Sequence, residues 1–208
     1  GDADRVILLD EFGHRADGDQ ILGLLASRWA LSGNLNKNTL VTTIMSNLGL
    51  ESFLKESSIN VVRTSVGDRY VVEQMRKNGF NLGGEQSGHI VMTDFSTTGD
   101  GIVAALQFLS IMKLENKPAS SLINQFTPCP QKLSNIYCPI DCNPLEDSII
   151  LESIKRLEKD LGSQGRILIR KSGTEPLIRV MVECIDELFL DNVINSITDE
   201  IELSITKS

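Results

Sequence analysis

Aromatic side chains and positive charge are both scarce in this sequence. Aromatic residues make up 5% of the 208 residues, and 20 Lys and Arg stand against 28 Asp and Glu, which gives a formal net charge of −8. Nucleic-acid surfaces usually combine excess positive charge with aromatic rings that stack on bases. We therefore expect neither nucleic acid nor an anionic membrane as a partner, and any anionic ligand must be captured by a local group of residues.

The sequence also has few cysteines and no long apolar run. No apolar run approaches the roughly 20 residues that a membrane helix needs, and the first residues lack the basic and apolar regions of a signal peptide. The four cysteines, Cys129, Cys138, Cys142 and Cys184, show no Cys-x-x-Cys spacing and have no nearby histidine. We predict a soluble cytoplasmic protein with reduced thiols and no zinc site.

The order of periodic segments predicts two domains. Up to about residue 118, apolar β-branched runs alternate with amphipathic segments, which favours an α/β layer. The predicted helices there are 17–29, 48–55, 68–77 and 100–114, and the predicted strands are 5–9, 39–45, 61–64 and 89–93. A stretch rich in Ser, Asn, Thr and Pro follows at 120–130 and is typical of a connection. The rest predicts a strand at 133–138, a helix at 145–161, two strands, and a helix from 187 onwards, a small α+β domain.

The most distinctive motif is Arg170-Lys-Ser-Gly-Thr-Glu-Pro176, between two runs that alternate as strands do. An arginine offers a planar, permanently charged fork to phosphate oxygens, and Ser172, Gly173 and Thr174 can supply a nest of backbone N–H groups with two hydroxyls. Arg179 follows closely enough to reach the same anion. A phosphate clamp is one interpretation of this motif, and an ordinary hairpin loop is the other.

A second loop, Gly83-Gly-Glu-Gln-Ser-Gly-His89, carries three glycines just before a predicted strand. The carboxylate of Glu85 could accept paired hydrogen bonds from neighbouring sugar hydroxyls, and Ser87 could both donate and accept. His89 could bind a phosphate oxygen or exchange a proton near neutral pH. The alternative is a glycine-rich turn with a structural histidine.

Two weaker patterns contain acidic residues. Asp2 and Asp4 could both turn oxygen ligands toward one hard cation such as Mg²⁺, although acidic residues near a terminus are usually solvated. Gly67 and Asp68 precede a predicted helix, whose N–H groups could bind an anion. Asp68 could equally be an N-cap.

Taken together and in order, six motifs resemble those of the α-D-phosphohexomutase superfamily, in its bacterial glucosamine branch. They are Gly1-Asp-Ala-Asp-Arg5, Met45-Ser-Asn-Leu-Gly49, Val66-Gly-Asp-Arg-Tyr70, Gly84-Glu-Gln-Ser-Gly-His89, Thr98-Gly-Asp-Gly101 and Arg170-Lys-Ser-Gly-Thr-Glu-Pro-Leu-Ile-Arg179. Gly173 agrees with the glucosamine branch. Lys171 departs from the proline expected there, which should leave binding intact because the donors lie on neighbouring residues.

The resemblance implies that this chain is the C-terminal part of a four-domain enzyme. Residues 1–16 would be the tail of domain 2, residues 17–126 domain 3 with a mixed-sheet α/β layer, and residues 127–208 domain 4, a smaller α+β domain similar to the TATA-box-binding protein. The metal loop of the family has three aspartates, of which Asp2 and Asp4 match the last two. The phosphoserine domain is absent from this sequence, so we expect the fragment to be inactive alone and its missing N-terminal domains to be its partner.

The resemblance also implies a chemistry for the intact enzyme. It would interconvert glucosamine 6-phosphate and glucosamine 1-phosphate through a phosphoserine, a bisphosphate intermediate and Mg²⁺, supplying UDP-N-acetylglucosamine for the bacterial cell wall. Glu85 and Ser87 would hold sugar hydroxyls, His89 would contact phosphate or carry a proton, and Gly67 and Asp68 would lie at the substrate. The phosphate group would be held by Arg170, Ser172, Gly173, Thr174 and Arg179.

Two alternatives remain open from the sequence. The chain could be a non-catalytic module that binds a phosphosugar, or part of a phosphomannomutase or phosphoglucomutase of the same superfamily. Residues that bind hydroxyls do not by themselves distinguish a 2-amino group from a hydroxyl.

Overall fold

The computed structural model describes residues 1–139, 142–172 and 175–207 of the chain. The chain folds as two compact units, residues 1–128 and residues 129–208. Each unit has its own buried apolar cluster.

The first unit is built on a four-stranded mixed sheet. Its helices are α1 (Gly18–Leu31), α2 (Leu48–Glu56), α3 (Asp68–Asn78) and α4 (Gly101–Glu115). Its strands are β1 (Leu8–Leu9), β2 (Arg15–Ala16), β3 (Thr39–Thr43), β4 (Asn60–Thr64), β5 (Leu82–Gly84) and β6 (Ile90–Met92). The sheet order is β4-β3-β5-β6, in which β3 runs parallel to β4 and β5, and β6 runs antiparallel to β5. The carboxyl ends of β3, β4 and β5 therefore lie at one edge of the sheet.

Short polar residues and glycine set the ends of these helices. The side chain of Asp17 accepts a hydrogen bond from the backbone N–H of Gln20 at the start of α1, and Asp100 does the same for two N–H groups of α4. Gly79 ends α3 in the left-handed conformation, with φ of 69°. These are the caps that the sequence predicts.

Helix α1 supplies much of the core of the first unit. Ile21, Leu22, Leu24 and Leu25 are all fully buried, and their helix packs against the sheet and against α2 and α4. A helix that is apolar on nearly all sides is buried within its domain.

One predicted strand of the first unit was wrong, and two were missed, the two-residue strand β2 and the sheet strand β5. Residues 5–9 do not form a buried strand, because Ile7 and Leu9 are 43% and 65% exposed and only Leu8–Leu9 pair with β2. In β5, two of the three residues are glycine.

The second unit is a three-stranded antiparallel sheet covered by two helices on one face. Its elements are β7 (Gln131–Tyr137), α5 (Ser148–Leu161), β8 (Gly165–Lys171), β9 (Leu177–Cys184) and α6 (Glu187–Lys207), and the sheet order is β7-β9-β8. Ile178, Val180 and Val182 pack in one core cluster with α5 and α6. Because side chains alternate along a strand, Arg179 lies on the opposite face.

The sequence predicts reduced thiols and contains no apolar run long enough for a membrane helix. All four cysteines are free, and burial raises the pKa of Cys129 to about 11, with the nearby carboxylate of Glu183 adding to the effect. In the described ranges, no helix is long and apolar enough to cross a membrane.

We predict that Ile178→Ala destabilises the second unit by about 2–5 kcal/mol, because it removes a fully buried side chain from the middle of the sheet. Amide hydrogen exchange along β8 and β9 would measure the loss. Leu188→Ala is the matched control, since Leu188 is 80% exposed on α6. Equal loss of protection in both variants would contradict this description of the core.

Candidate functional site

The Glu85 carboxylate is held at the carboxyl edge of the first unit's sheet. Its Oε1 accepts a hydrogen bond from the backbone N–H of Gly67 at 2.9 Å, and its Oε2 accepts one from the Ser87 hydroxyl at 3.3 Å. This arrangement brings together Gly67, Glu85 and Ser87, three of the residues singled out from the sequence. Glu85 and Ser87 border an open cavity of about 440 Å³, whose other lining residues are Arg15, Asp17, Thr43, Met45, Val66 and Gln86.

The turn at residues 85–88 is packed tightly against neighbouring backbone. The N–H of Gly18 donates to the carbonyl of Gln86 at 3.0 Å, and a Cβ at Gly18 would lie 2.1 Å from the carbonyl oxygen of Glu85. At Gly88, φ is +92° and a Cβ would lie 2.2 Å from the carbonyl oxygen of Val6. Glycine is required at both positions because backbone from another segment occupies the space of a side chain.

His89 is buried and lies between two carboxylates. Its residue exposure is 3%, its Nδ1 is 3.1 Å from Oδ2 of Asp4, and its Nε2 is 3.9 Å from Oδ2 of Asp68. The ring faces Gly99, where a Cβ would be only 2.2 Å from Nε2. His89 is not among the residues that line the cavity at Glu85. Its proposed contact with phosphate stays a prediction, and the observed contact is with Asp4.

Asp4, the second of the two aspartates near the start of the chain, lies beside His89 and Arg5. The pKa of Asp4 is below its ordinary value because of the neighbouring Asp2 side chain and, to a smaller extent, because of His89 and Arg5. The carboxylate oxygens of Asp2 and Asp4 suit a hard cation. Within the residues the structure describes, however, no group of three His, Cys, Asp or Glu side chains converges to hold a metal ion. Asp2 and Asp4 therefore form only part of a site.

Gly67, not Asp68, is the N-cap of α3. Gly67 has φ of +130° and makes no side-chain capping bond, and Asp68 is the first residue of the helix. The capping role considered for Asp68 was therefore wrong. Its carboxylate points instead toward His89.

In the second unit, the two arginines of the predicted clamp are directly opposite each other. Arg170 of β8 pairs with Arg179 of β9 in the antiparallel register, and Asn135 of β7 pairs with Arg179 from the other side. Directly opposite residues share a face of the sheet, so the three side chains form a row on the face away from α5 and α6. The contribution of Asn135 was not predicted from the sequence, because it depends on the order of the strands.

The row of Asn135, Arg170 and Arg179 contains more positive charge than the nearby carboxylates neutralise. Four residues earlier on β8, Arg166 is opposite Glu183 and forms an ion pair with it at 2.5 Å. Among the described residues, Arg179 has the half-exposed Glu175 as its one ion-pair partner, and its Nε lacks a hydrogen bond to any of them. Like charges directly opposite each other destabilise a sheet, so the Arg170–Arg179 pair would be stabilised by an anion.

The loop between the two arginines is described in part. The N–H of Ser172 donates to the carbonyl of Leu177 at 2.8 Å, which closes the hairpin at its base. Gly173 and Thr174 lie outside the described residues, so their predicted N–H and hydroxyl contacts with phosphate remain predictions.

A buried carboxylate near Glu85 was missed in the sequence. Asp19, in the first turn of α1, is 1% exposed, and its Oδ2 accepts a hydrogen bond from the N–H of Asn47 at 2.7 Å. Burial raises its pKa to about 7, and the negative charge of Asp17 adds to the rise, whereas Asn47, Ser46 and Arg63 lower it. One feature of the sequence indicates this burial. Asp19 lies on the same helix face as Leu22, where an acidic residue is unusual.

Asp19 borders a second polar cavity of about 280 Å³. Its lining is Arg15, Asp17, Asp19, Gln20, Asn47, Gln86, Asn124, Phe126 and Pro128. Arg15, Asp17 and Gln86 line both this cavity and the one at Glu85. The two cavities are therefore neighbours.

Comparison with known families identifies the class of protein. Residues 17–129 match the family model described as phosphoglucomutase/phosphomannomutase, alpha/beta/alpha domain III, and residues 133–199 match the C-terminal domain of the same family. The chain belongs to the phosphoglucomutase/phosphomannomutase family.

Similar curated proteins are phosphoglucosamine mutases. The one from Roseobacter denitrificans is 55% identical over 201 residues, and the one from Cereibacter sphaeroides is 57% identical over 197 residues. These matches cover 97% and 95% of this chain but 45% and 44% of the relatives. The chain thus spans less than half the length of the relatives it matches.

Solved structures with the same fold are more distant in sequence. The N-acetylphosphoglucosamine mutase of Aspergillus fumigatus, solved in complex with GlcNAc-6P and magnesium, matches with a TM-score of 0.75 at 20% identity, over 97% of this chain and 50% of that one. A phosphoglucomutase/phosphomannomutase family protein from Burkholderia thailandensis matches with a TM-score of 0.75 at 19% identity, over 98% and 45%. The mixed α/β architecture predicted from the sequence is confirmed.

We predict that Asp19 makes the first unit less stable as the pH rises from about 4 to about 7. The unfolded chain releases this proton near the ordinary value of 3.8, whereas the folded state keeps it until about 7. Between those values the folded state binds more protons, so its stability falls with rising pH by at most about 4 kcal/mol.

Urea unfolding of the first unit, followed by Trp29 fluorescence at pH 5 and pH 8, would measure this effect. Asp19→Asn should remove most of the difference between the two pH values. If the variant keeps the full difference, another group causes the pH dependence.

Proposed function

We propose that this chain is the C-terminal part of a phosphoglucosamine mutase, which interconverts glucosamine 6-phosphate and glucosamine 1-phosphate in the intact enzyme. The placement of Arg170 opposite Arg179 on the sheet face away from α5 and α6 is the observation that carries the phosphate-binding part of this proposal. Identity of 55–57% to phosphoglucosamine mutases supports the glucosamine substrate over the glucose and mannose phosphates.

In this proposal the second unit binds the phosphate group. Arg170 and Arg179 present two guanidinium groups, and a phosphate between them would bond to both and relieve their mutual repulsion. Asn135 adds an amide donor to the same row. Ser172, Gly173 and Thr174 are proposed to supply further donors from the loop.

The first unit is proposed to bind the sugar. The N–H of Gly67 donates to one oxygen of the Glu85 carboxylate, and the Ser87 hydroxyl donates to the other. Both carboxylate oxygens are therefore held in defined positions. A carboxylate fixed in this way is suited to accept hydrogen bonds from two neighbouring hydroxyls of a sugar ring. His89 is proposed to act by orienting Asp4, to which it is bonded.

Magnesium and the phosphoserine belong to the proposal for the intact enzyme. Asp2 and Asp4 would supply two carboxylate ligands to Mg²⁺, whose chemistry in phosphoryl transfer is to neutralise charge on the group transferred. A Mg²⁺-dependent reaction also requires the residues of the relatives that this chain does not contain. A module that only binds a phosphosugar remains the second candidate, because the residues proposed to bind phosphate and sugar are in this chain, whereas no serine in it matches the phosphoserine of the family.

We predict that Arg170→Ala lowers the affinity of the chain for inorganic phosphate and for glucosamine 6-phosphate at least tenfold, because a charge-assisted bidentate contact contributes about 1.5–3 kcal/mol. Isothermal titration calorimetry would measure both ligands.

Lys171→Ala is the matched control for this prediction. It removes the same charge one residue away, on a side chain whose Nζ donates to the carbonyl of Cys142 at 2.8 Å. The control should bind phosphate nearly as well as the unchanged chain. Unchanged affinity in Arg170→Ala would contradict the proposed clamp.

A further inference from the structure

Acidic side chains outnumber basic ones around the cavity at Glu85 and the cavity beside it. The two cavities, of about 440 Å³ and 280 Å³, share Arg15, Asp17 and Gln86 in their linings. Together the linings contain three acidic residues, Asp17, Asp19 and Glu85, and one basic residue, Arg15. The sugar phosphates of the proposed function are anions. An acidic site therefore attracts them only through a part of the ligand that carries positive charge.

A backbone hydrogen bond holds Asp17 next to the turn that carries Glu85. The N–H of Gly18, the residue after Asp17, donates to the carbonyl of Gln86, the residue after Glu85, at 3.0 Å. Asp17 and Glu85 both line the larger cavity. The start of α1 therefore places a second carboxylate beside the one that is proposed to bind hydroxyls.

Asp17 keeps one carboxylate oxygen available for a ligand. Its Oδ1 accepts the N–H of Gln20 at 3.1 Å, as the N-cap of α1. Among the residues that the structure describes, its Oδ2 has no hydrogen-bond donor. Arg15 lines both cavities with Asp17, but Arg15 is exposed and no ion pair joins the two side chains in the described part of the chain.

Asp19 is an independent sign that a hydrogen-bond donor is missing at this place. It is 1% exposed and lines the smaller cavity. Its Oδ2 accepts the N–H of Asn47 at 2.7 Å, whereas its Oδ1 is buried without a partner among the described residues. Most buried polar atoms are hydrogen-bonded. A ligand that brings N–H groups to this cavity would therefore satisfy an oxygen that the protein leaves unpaired.

The chemistry of the glucosamine phosphates indicates which ligand group fits here. The hydroxyls on ring carbons 3 and 4 are the one neighbouring pair that the 1-phosphate and the 6-phosphate have in common, so they are the pair that Glu85 can accept from in both. The amino group is on ring carbon 2, next to this pair. In its protonated form it carries a positive charge and three N–H donors, whereas a hydroxyl is neutral and has one donor.

We propose that the cavity bordered by Asp17 and Asp19 is the subsite for the amino group of the sugar. Oδ2 of Asp17 accepts from the ammonium group, and Oδ1 of Asp19 offers a second acceptor. The inference rests on the proposed function, because it takes the hydroxyls of the same ring to be held by Glu85. It adds a means to distinguish a 2-amino group from a 2-hydroxyl group, since a site built for a donor rejects the analogue that lacks it.

An NMR titration of the isotope-labelled 208-residue chain with glucosamine, glucose and N-acetylglucosamine at pH 7 tests the inference. We expect glucosamine to bind roughly tenfold more tightly than the other two sugars, the scale of one charge-assisted hydrogen bond, because only its nitrogen carries a charge. Asp17→Asn should lower the affinity for glucosamine to that for glucose and leave glucose binding unchanged. Asparagine is as good an N-cap as aspartate, so the variant changes the charge and keeps the helix start.

Asp100→Asn is the matched control. Asp100 caps α4 as Asp17 caps α1, and it is not among the residues that line either cavity. The control removes the same charge and should keep the preference for glucosamine. Asp19→Asn should weaken the binding of glucosamine and not that of glucose. A preference that survives Asp17→Asn, or equal affinity for glucosamine and glucose in the unchanged chain, would overturn the inference.

Glu85→Gln separates this inference from the proposed function. It should weaken the binding of all three sugars, because they share the hydroxyls that Glu85 is proposed to bind. If Glu85→Gln binds the sugars as well as the unchanged chain does, the proposed role of Glu85 is wrong, and Asp17→Asn still decides whether Asp17 holds the amino group. If the unchanged chain binds none of the sugars, both proposals are contradicted.

Discussion

The contact between the first turn of α1 and the turn after β5 is the constraint on which the site of the first unit depends. The backbone of Gly18 approaches the carbonyl of Glu85 so closely that a Cβ would lie 2.1 Å from it. Val6 closes the other side of the turn at Gly88. With backbone on both sides, the turn has little room to move, and the N–H of Gly67 donates to the Glu85 carboxylate. A binding group held by rigid backbone is pre-organised for its ligand.

The second unit forms its candidate binding group, the Arg170–Arg179 pair, in a different way. Its hairpin places Arg170 and Arg179 opposite each other, where an ordinary sheet would pair opposite charges, as it does at Arg166 and Glu183. The α5 and α6 helices cover the other face, so the arginines do not contribute to the core. An acidic chain with a net charge of −8 thus carries one row of positive charge. That row is suited to a small anion and not to a polyanion.

Much of the architecture could be predicted because local signals determine it. Asp17 and Asp100 cap their helices and Gly79 ends one, as their sequence positions indicate. Strand β5 could not be predicted because glycine has low strand propensity. Tertiary packing leaves little room for a side chain at Gly83, since a Cβ there would lie 2.9 Å from Cγ1 of Val71 and 3.0 Å from the carbonyl oxygen of Val41.

The sequence identified several residues of the candidate sites, but it did not show how they are arranged in space. The spacing of Arg170 and Arg179 indicated that both could reach one anion, and the structure places them side by side. Asn135 was missed because its position follows from strand order, which no local pattern reports. Asp19 was missed because its burial follows from packing, of which its place on an apolar helix face is only a weak sign. Sequence patterns identify residues whose chemistry is unusual. They do not identify ordinary residues that packing brings to the same place.

An NMR titration of the isotope-labelled chain with inorganic phosphate, glucosamine and glucosamine 6-phosphate in parallel would show most directly whether the arginine pair binds phosphate and Glu85 binds the sugar. Phosphate should shift only signals around Arg170, Ser172 and Arg179, glucosamine only those around Gly67, Glu85 and Ser87, and glucosamine 6-phosphate both sets. If glucosamine 6-phosphate shifts neither set, or shifts only residues elsewhere in the chain, the central claim is contradicted.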